Sequence, residues 1–283
     1  PNEEPETEPA RALAIGRGLG VAPKPAVRVN PDFELRGSGM KMGGRASPFG
    51  IDAARVPALV RRLIDAGADW RGFHIFAGSQ SLDTAAIIET QAATVALAAR
   101  LADEAEAEPP LVNLGGGFGI PYFAGDVAVD IDAVGAALAD VLASRPAVLA
   151  GSAFAIELGR WIAGECGVYL MRVIDRKASG EETFLVCDGG LHHQLAASGN
   201  FGTVVRRNYP VALAEKMGSE PTEIVSIVGP LCTPLDRLAD RVAFPHAEPG
   251  DVIAVFLAGA YGASASPAAF LGHGPATEIV AGG

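Results

Sequence analysis

Four short apolar runs, with stretches of helical periodicity between them, limit this chain more than any other feature. The runs are AVRV (26–29), FHIF (73–76), LVNL (111–114) and FAIEL (154–158). Between them, Val56, Leu59, Val60, Leu63 and Ile64 recur on one helix face and stop at Gly67. Ile88, Ala92, Val95 and Ala99 form a second stripe, and Ile131, Val134, Leu138 and Val141 a third. Strand and helix alternating every roughly 35 to 45 residues argue for parallel βαβ units. Runs without polar alternation suit a sheet covered on both faces. After about residue 162 the helical period fades. VYLMRVI, TFLVC, EIVSIV and DVIAVFL then predict strands, with a helical stretch only around 209–217. The expected organisation is an α/β domain over 1–161 and a β-rich domain over 162–283.

In a parallel α/β domain, chemistry gathers at the carboxyl ends of the strands. The four runs end in Asn30-Pro31-Asp32, Ala77-Gly78-Ser79-Gln80, Gly115-Gly116-Gly117 and Glu157-Leu158-Gly159-Arg160. Glycines let backbone N–H groups converge on an anion. Ser79 adds a hydroxyl, Arg160 a positive charge and Glu157 a carboxylate. Three strand ends therefore carry donors suited to a phosphate, and one a carboxylate. The competing reading makes Gly115–Gly117 only a tight strand-to-helix turn. Gly16-Arg17-Gly18-Leu19-Gly20 looks like a dinucleotide fingerprint, but it follows a helix-like segment and lacks the last glycine, so it reads as a helix end.

Composition removes several function classes. The net charge is -11 and no Lys/Arg run exceeds two residues, which argues against nucleic-acid binding. No apolar stretch approaches the ~20 uncharged residues of a membrane span. The acidic, proline-rich PNEEPETEPA is unlike a signal peptide, so a cytoplasmic protein is expected. Cys166, Cys187 and Cys232 are odd in number and widely spaced, giving neither a disulfide framework nor a zinc site. His192 and His193 make a poor metal pair, because neighbours on a strand face opposite ways. Taken singly, Cys232 reads as a buried thiol, Glu157 as a salt-bridge partner at a helix start, and Tyr261 as core.

Read in order, VRVNP, GFHIFAGSQ, NLGGGFG, IELGR, CDGG, GPLCTPLD, EPGDVIAVFLAGAYG and PATEIV resemble the alanine-racemase-like (fold type III) pyridoxal-phosphate decarboxylases, the diaminopimelate/ornithine decarboxylase family. RVNPDFELRGSGMKMGG, GGLHHQLAASGNFG and RRNYP look closest to exosortase-associated decarboxylases. The resemblance implies a (β/α)8 TIM-type barrel followed by a β-rich C-terminal domain, with pyridoxal 5'-phosphate as cofactor. It implies a phosphate cradle of Ser79, Gly116, Gly117, Gly159 and Tyr261, helped by Arg160. It implies Glu157 on the pyridine nitrogen and Arg28 near the cofactor's phenol oxygen. Cys232 corresponds to a cysteine that reaches into the partner's site in a homodimer with shared active sites and helps return a proton after decarboxylation. Asp236 follows it in the same motif, and Asp188 corresponds to an aspartate at the substrate's far end.

Three departures shape the expectation. The Schiff-base lysine belongs to the first barrel strand, upstream of VRVNP, and none of Lys24, Lys41, Lys177 or Lys216 has that context. PNEEPETE corresponds to the end of the fourth barrel strand, so only the second half of the barrel is expected here. The 283 residues are then part of a longer polypeptide, or else a lysine-free binding homologue. Phe76 replaces a histidine that stacks on the cofactor ring; it keeps the flat surface without the polar edge, and His74 points the same way. Thr233 and Ala196-Ala197 stand where relatives carry charged substrate contacts. The expected activity is decarboxylation of an amino acid with a neutral or extended far end, including one joined to a carrier. A racemase and a non-catalytic binder are the alternatives.

Overall fold

In the computed structural model, residues 7–34, 40–41, 48–200 and 207–282 are described; 35–39, 42–47 and 201–206, parts of the motifs above, lie outside them. The chain groups into two compact units. One holds the residues up to Gly119 together with Ala128–Leu158; the other holds Ile120–Val127 and everything from Gly159 onward. The last change of unit falls at 158/159, where the sequence led to the expectation of 161/162. Segment 120–127 belongs with the second unit because Ile120 and Tyr122 are buried in that unit's core.

The first unit runs α1 (Thr7–Leu19), β1 (Ala26–Asn30), β2 (Ile51–Asp52), α2 (Val56–Asp65), β3 (Gly72–Ile75), α3 (Thr84–Ala105), β4 (Leu111–Gly116), α4 (Ile131–Ala143) and β5 (Ala153–Glu157). The strands form one sheet in the order β2-β1-β3-β4-β5, with every pairing parallel. An all-parallel sheet with helices between its strands is the α/β architecture expected from the sequence. Met40–Lys41 pairs antiparallel with Gly78–Ser79, so the backbone of Lys41 is in a short strand rather than a plain loop. α1 ends at Leu19 and Gly20 has φ +68, which makes the glycine-spaced segment a helix end.

Register decides what each face of this sheet does. Val27, Phe73, Val112 and Phe154 are lateral neighbours on one face. They join a core with Val56, Leu59, Val60 and Leu63 of α2 and Val95, Ala98, Leu101 and Ala102 of α3. Burying a side chain such as Phe73, 1% exposed, stabilises by about 1.5–3 kcal/mol. Ile64 is exposed rather than buried, and Ile87 rather than Ile88 is the fully buried residue at the start of α3. Asp83 and Asp130 cap α3 and α4 by accepting the N–H of Ala86 (3.0 Å) and Ala133 (2.9 Å). α3 is long and apolar enough to cross a membrane by length and composition, an exception to the expectation above; 56% of its most apolar window is buried inside the fold.

The second unit contains α5 (Gly159–Ala163), β6 (Tyr169–Ser179), β7 (Glu182–Cys187), β8 (Val211–Leu213), β9 (Glu223–Val228), β10 (Arg237–Phe244) and β11 (Val252–Val255). Its mixed sheet has the order β8-β11-β6-β7-β9-β10. Asn208, just before β8, donates its amide to Asp240 O (2.8 Å) and accepts the Asp240 N–H (2.8 Å), linking the two edge strands. The expected helix at 209–217 is a strand and a single 3-10 turn instead. Val211–Leu213 pairs with Ile253–Val255, and those ladder bonds outweigh local helical pattern.

Candidate active site

The face of the first sheet opposite the helices carries polar groups in register. Arg28, His74 and Asn113 are lateral neighbours across β1, β3 and β4, followed by Ala155 on β5. Side chains two residues apart on a strand share a face, so Phe76 and Glu157 belong to the same surface. Asn113 Nδ2 donates to Glu157 Oε1 at 2.8 Å. His74 Nε2 lies 3.5 Å from Glu157 Oε2, an electrostatic contact too long for a well-formed hydrogen bond. Burial lowers the pKa of His74 below the usual imidazole value; Glu157 opposes this and Arg28 adds to it. The Arg28 guanidinium carbon sits 5.1 Å from the centre of the Phe49 ring and 5.9 Å from that of Phe76, within cation–π range.

At the strand ends the three glycines are dictated by close backbone approach. A Cβ on Gly116 would stand 1.8 Å from Glu157 O, and one on Gly117, whose φ is +90, 1.9 Å from Gly78 O and 3.2 Å from Ser79 Cα. The tight-turn reading of these glycines is therefore part of the answer, and that turn brings Ser79, Gly116, Gly117 and Glu157 together. Ser79 Oγ is buried and has no hydrogen-bond partner among the described residues. Its neighbour Gln80 has φ +57, a left-handed conformation that costs a non-glycine residue on the order of 1 kcal/mol.

The second unit holds the other expected phosphate residues. Arg160 donates to Tyr122 Oη at 2.7 Å, and its guanidinium lies 4.5 Å from the Tyr261 ring centre and 5.5 Å from that of Tyr122. Tyr261 is 46% exposed, so it is not core, and its φ is +57. A Cβ at Gly159 would meet nothing within 4 Å.

Two loops of this unit meet at Asp236, which is 3% exposed. Its Oδ1 accepts the Leu191 N–H (2.7 Å) and its Oδ2 the Leu231 N–H (2.9 Å). Burial raises its pKa, partly offset by those two bonds. Both carboxylate oxygens are therefore engaged with backbone, and Asp236 organises the segment that bears Cys232 and Thr233. Cys232 is exposed, which removes the buried-thiol reading, whereas burial pushes Cys187 up to about 12. Thr233 is half-buried, and its hydroxyl accepts the Leu235 N–H at 3.3 Å. Asp188 is exposed and exchanges bonds with the backbone of Arg172, accepting its N–H at 2.8 Å.

His192 and His193 lie in a turn, not a strand, with ring centres 3.8 Å apart; His273 is 5.1 Å from His192. His193 Nε2 donates to Gly274 O, so its Nδ1 accepts from the Tyr169 hydroxyl; both distances are 3.0 Å. His192 is fully buried, neither ring nitrogen has a partner among the described residues, and burial lowers its pKa to about 4.

Sequence reasoning assigned no role to Asn113, Tyr122, Tyr169 or His273. A lone amide within the apolar LVNL run was the available signal for Asn113.

The family model described as pyridoxal-dependent decarboxylase, C-terminal sheet domain, matches residues 42–259. The chain is 38% identical over 260 residues to the L-glutamyl-[BtrI acyl-carrier protein] decarboxylase of Niallia circulans, an alignment covering 90% of this chain and 60% of that protein. It is 32% identical over 250 residues to the diaminopimelate decarboxylase of Archaeoglobus fulgidus, covering 88% and 58%. The crystal structure of Helicobacter pylori diaminopimelate decarboxylase complexed with L-lysine resembles it in fold, with TM-score 0.77 and 22% identity over 93% of this chain and 63% of that one. The chain thus spans about 60% of the length of these curated relatives.

Proposed function

The chain belongs to the pyridoxal-dependent decarboxylases, and from that premise we propose that it serves the decarboxylation of an amino acid whose far end is uncharged or extended, with an aminoacyl group joined to a carrier as the favoured form. The observation that carries this reading is the polar row of the first sheet, Arg28, His74, Asn113 and Glu157, beside a buried, unpartnered Ser79 hydroxyl at the glycine turn.

The residues present fit the cofactor. Ser79 Oγ lacks a partner among the described residues, and the turn at Gly116 and Gly117 leaves room only for backbone. When bound, pyridoxal 5'-phosphate supplies an electron-accepting ring for the electrons left as a carboxylate departs as CO₂. Ser79 and the N–H groups of the turn would bind its phosphate. Glu157 would keep the proton on the ring nitrogen, Phe76 would offer a flat apolar face, and Arg28 a positive charge near the phenol oxygen. The motif match alone assigns Gly159, Arg160 and Tyr261 to the phosphate. In a cytoplasmic homodimer, the exposed Cys232 would return a proton at the other subunit's site. Asp188 and Thr233 would border the substrate's far end, and Asp236 would hold the Cys232 loop in place.

Support for the substrate comes from uncharged Thr233 and Ala196-Ala197, and from the carrier-linked substrate in the name of the 38%-identical relative. Charge missing from a recognition site changes selectivity by orders of magnitude. A second reading, a cofactor-binding homologue without the lysine, draws on the placement of Lys24, Lys177 and Lys216. All three are exposed and none lies on the polar face of the sheet.

CO₂ release by the full-length polypeptide that contains these residues, measured with a glutamyl-loaded carrier protein, free diaminopimelate and free ornithine, separates these readings. Release from the loaded carrier is expected. Fast turnover of free diaminopimelate would remove the substrate proposal, and cofactor retention without release from any substrate would establish the binder.

A further inference from the structure

One side chain ties the glycine turn to the carboxylate on the neighbouring strand. Asn113 Oδ1 accepts the Gly115 N–H at 2.9 Å. A backbone N–H can only donate, so this bond settles which end of the amide is oxygen and turns the NH₂ group toward Glu157. There Nδ2 donates to Oε1 at 2.8 Å. The Glu157 side chain is 51% exposed, and its other contact is the 3.5 Å approach of Oε2 to His74. A half-exposed glutamate ordinarily samples several rotamers. Within LVNL, only a neutral amide can accept from the turn and donate to the carboxylate at the same time.

We propose that Asn113 is a positioning residue: it holds Glu157 by Oε1, keeps Oε2 beside His74, and links that placement to the first glycine of the turn. This rests on the reading that Glu157 serves the cofactor ring and Gly116 and Gly117 its phosphate. On that reading, Asn113 joins the two ends of the cofactor site without touching the cofactor.

The test follows the titration of His74 by NMR in the full chain with labelled histidine and no cofactor. The chain has five histidines, and a His74→Gln variant identifies the signal. Glu157 raises the His74 midpoint, so Glu157→Gln is expected to lower it. Asn113→Leu is expected to lower it similarly, because the released carboxylate turns to water. The double variant should fall no further than Glu157→Gln alone, the non-additivity expected of residues acting as one unit. Asn113→Ser, which keeps an oxygen near the turn but does not reach Glu157, should behave like Asn113→Leu and stands in if that variant does not fold. A wild-type midpoint in both Asn113 variants, with a lowered one in Glu157→Gln, overturns the proposal. So does an unchanged midpoint in Glu157→Gln.

Pyridoxal phosphate binding, followed by visible absorbance, keeps the two readings apart. Coupling without cofactor binding removes the functional reading and leaves Asn113 in its role. Binding without coupling does the reverse.

Discussion

His192 should make the second unit sensitive to mild acid. Its ring is fully buried, neither nitrogen has a hydrogen-bond partner among the described residues, and two other imidazoles lie within 3.8 and 5.1 Å between ring centres. Burial, then His193 and His273, lower its pKa from 6.5 to about 4. The folded value lies below the unfolded one, so folding favours the neutral ring. That stabilisation is fully present above pH 6.5 and is lost as pH falls from 6.5 toward 4. Each pH unit between the two values corresponds to about 1.4 kcal/mol, so the loss amounts to about 3 kcal/mol. Urea unfolding at pH values from 7.5 to 4.5 measures it. Near-UV circular dichroism suits the purpose, since all four tyrosines, Tyr122, Tyr169, Tyr209 and Tyr261, belong to this unit. His192→Phe keeps an aromatic ring and removes the titrating nitrogens. It should stay within about 1 kcal/mol of wild type at pH 7.5, because a buried polar group without partners contributes little favourable energy. Its stability should then fall by about 3 kcal/mol less on acidification. An undiminished acid dependence in His192→Phe would refute this assignment and move the titration to another group.

Gly117→Ala should destabilise the first unit by more than about 2 kcal/mol, because its Cβ would overlap Gly78 O at a φ of +90. Thermal unfolding checks this, and a wild-type midpoint would mean the strand ends yield easily. Asp236→Ala strips the acceptor from two buried backbone N–H groups, at about 1–3 kcal/mol each. Urea unfolding should show the loss, and iodoacetamide should alkylate Cys232 at an altered rate; a loss below about 1 kcal/mol would show that water takes the carboxylate's place.

Four of the five strands of the first sheet stood in the sequence to within about two residues, because each carries an apolar run on its helix-covered face; Ile51–Asp52, two residues long, did not. β10 did not. Arg237, Asp240 and Arg241 interrupt its pattern, and the register shifts of its pairing with β9 break the two-residue alternation. The helix expected at 209–217 failed because its pairing partner lies some forty residues downstream. Ser79, Gly116, Gly117 and Glu157 were legible as strand ends, and the first unit brings them together. Asn113 was not, because its part depends on which residues lie opposite it across β3 and β5. The histidine pair was expected on a strand, and its residues sit in a turn instead.

The eight residues from Ile120 to Val127 interrupt one unit and contribute to the other's core, so the peptide changes membership at 119/120, at 127/128 and again at 158/159. A gene break at 158/159 would leave one product with a foreign segment and the other without two buried side chains, Ile120 and Tyr122, while a break at 119/120 would strip α4 and β5 from the first unit. The two units are therefore poor candidates for modular exchange and should be inherited as one block.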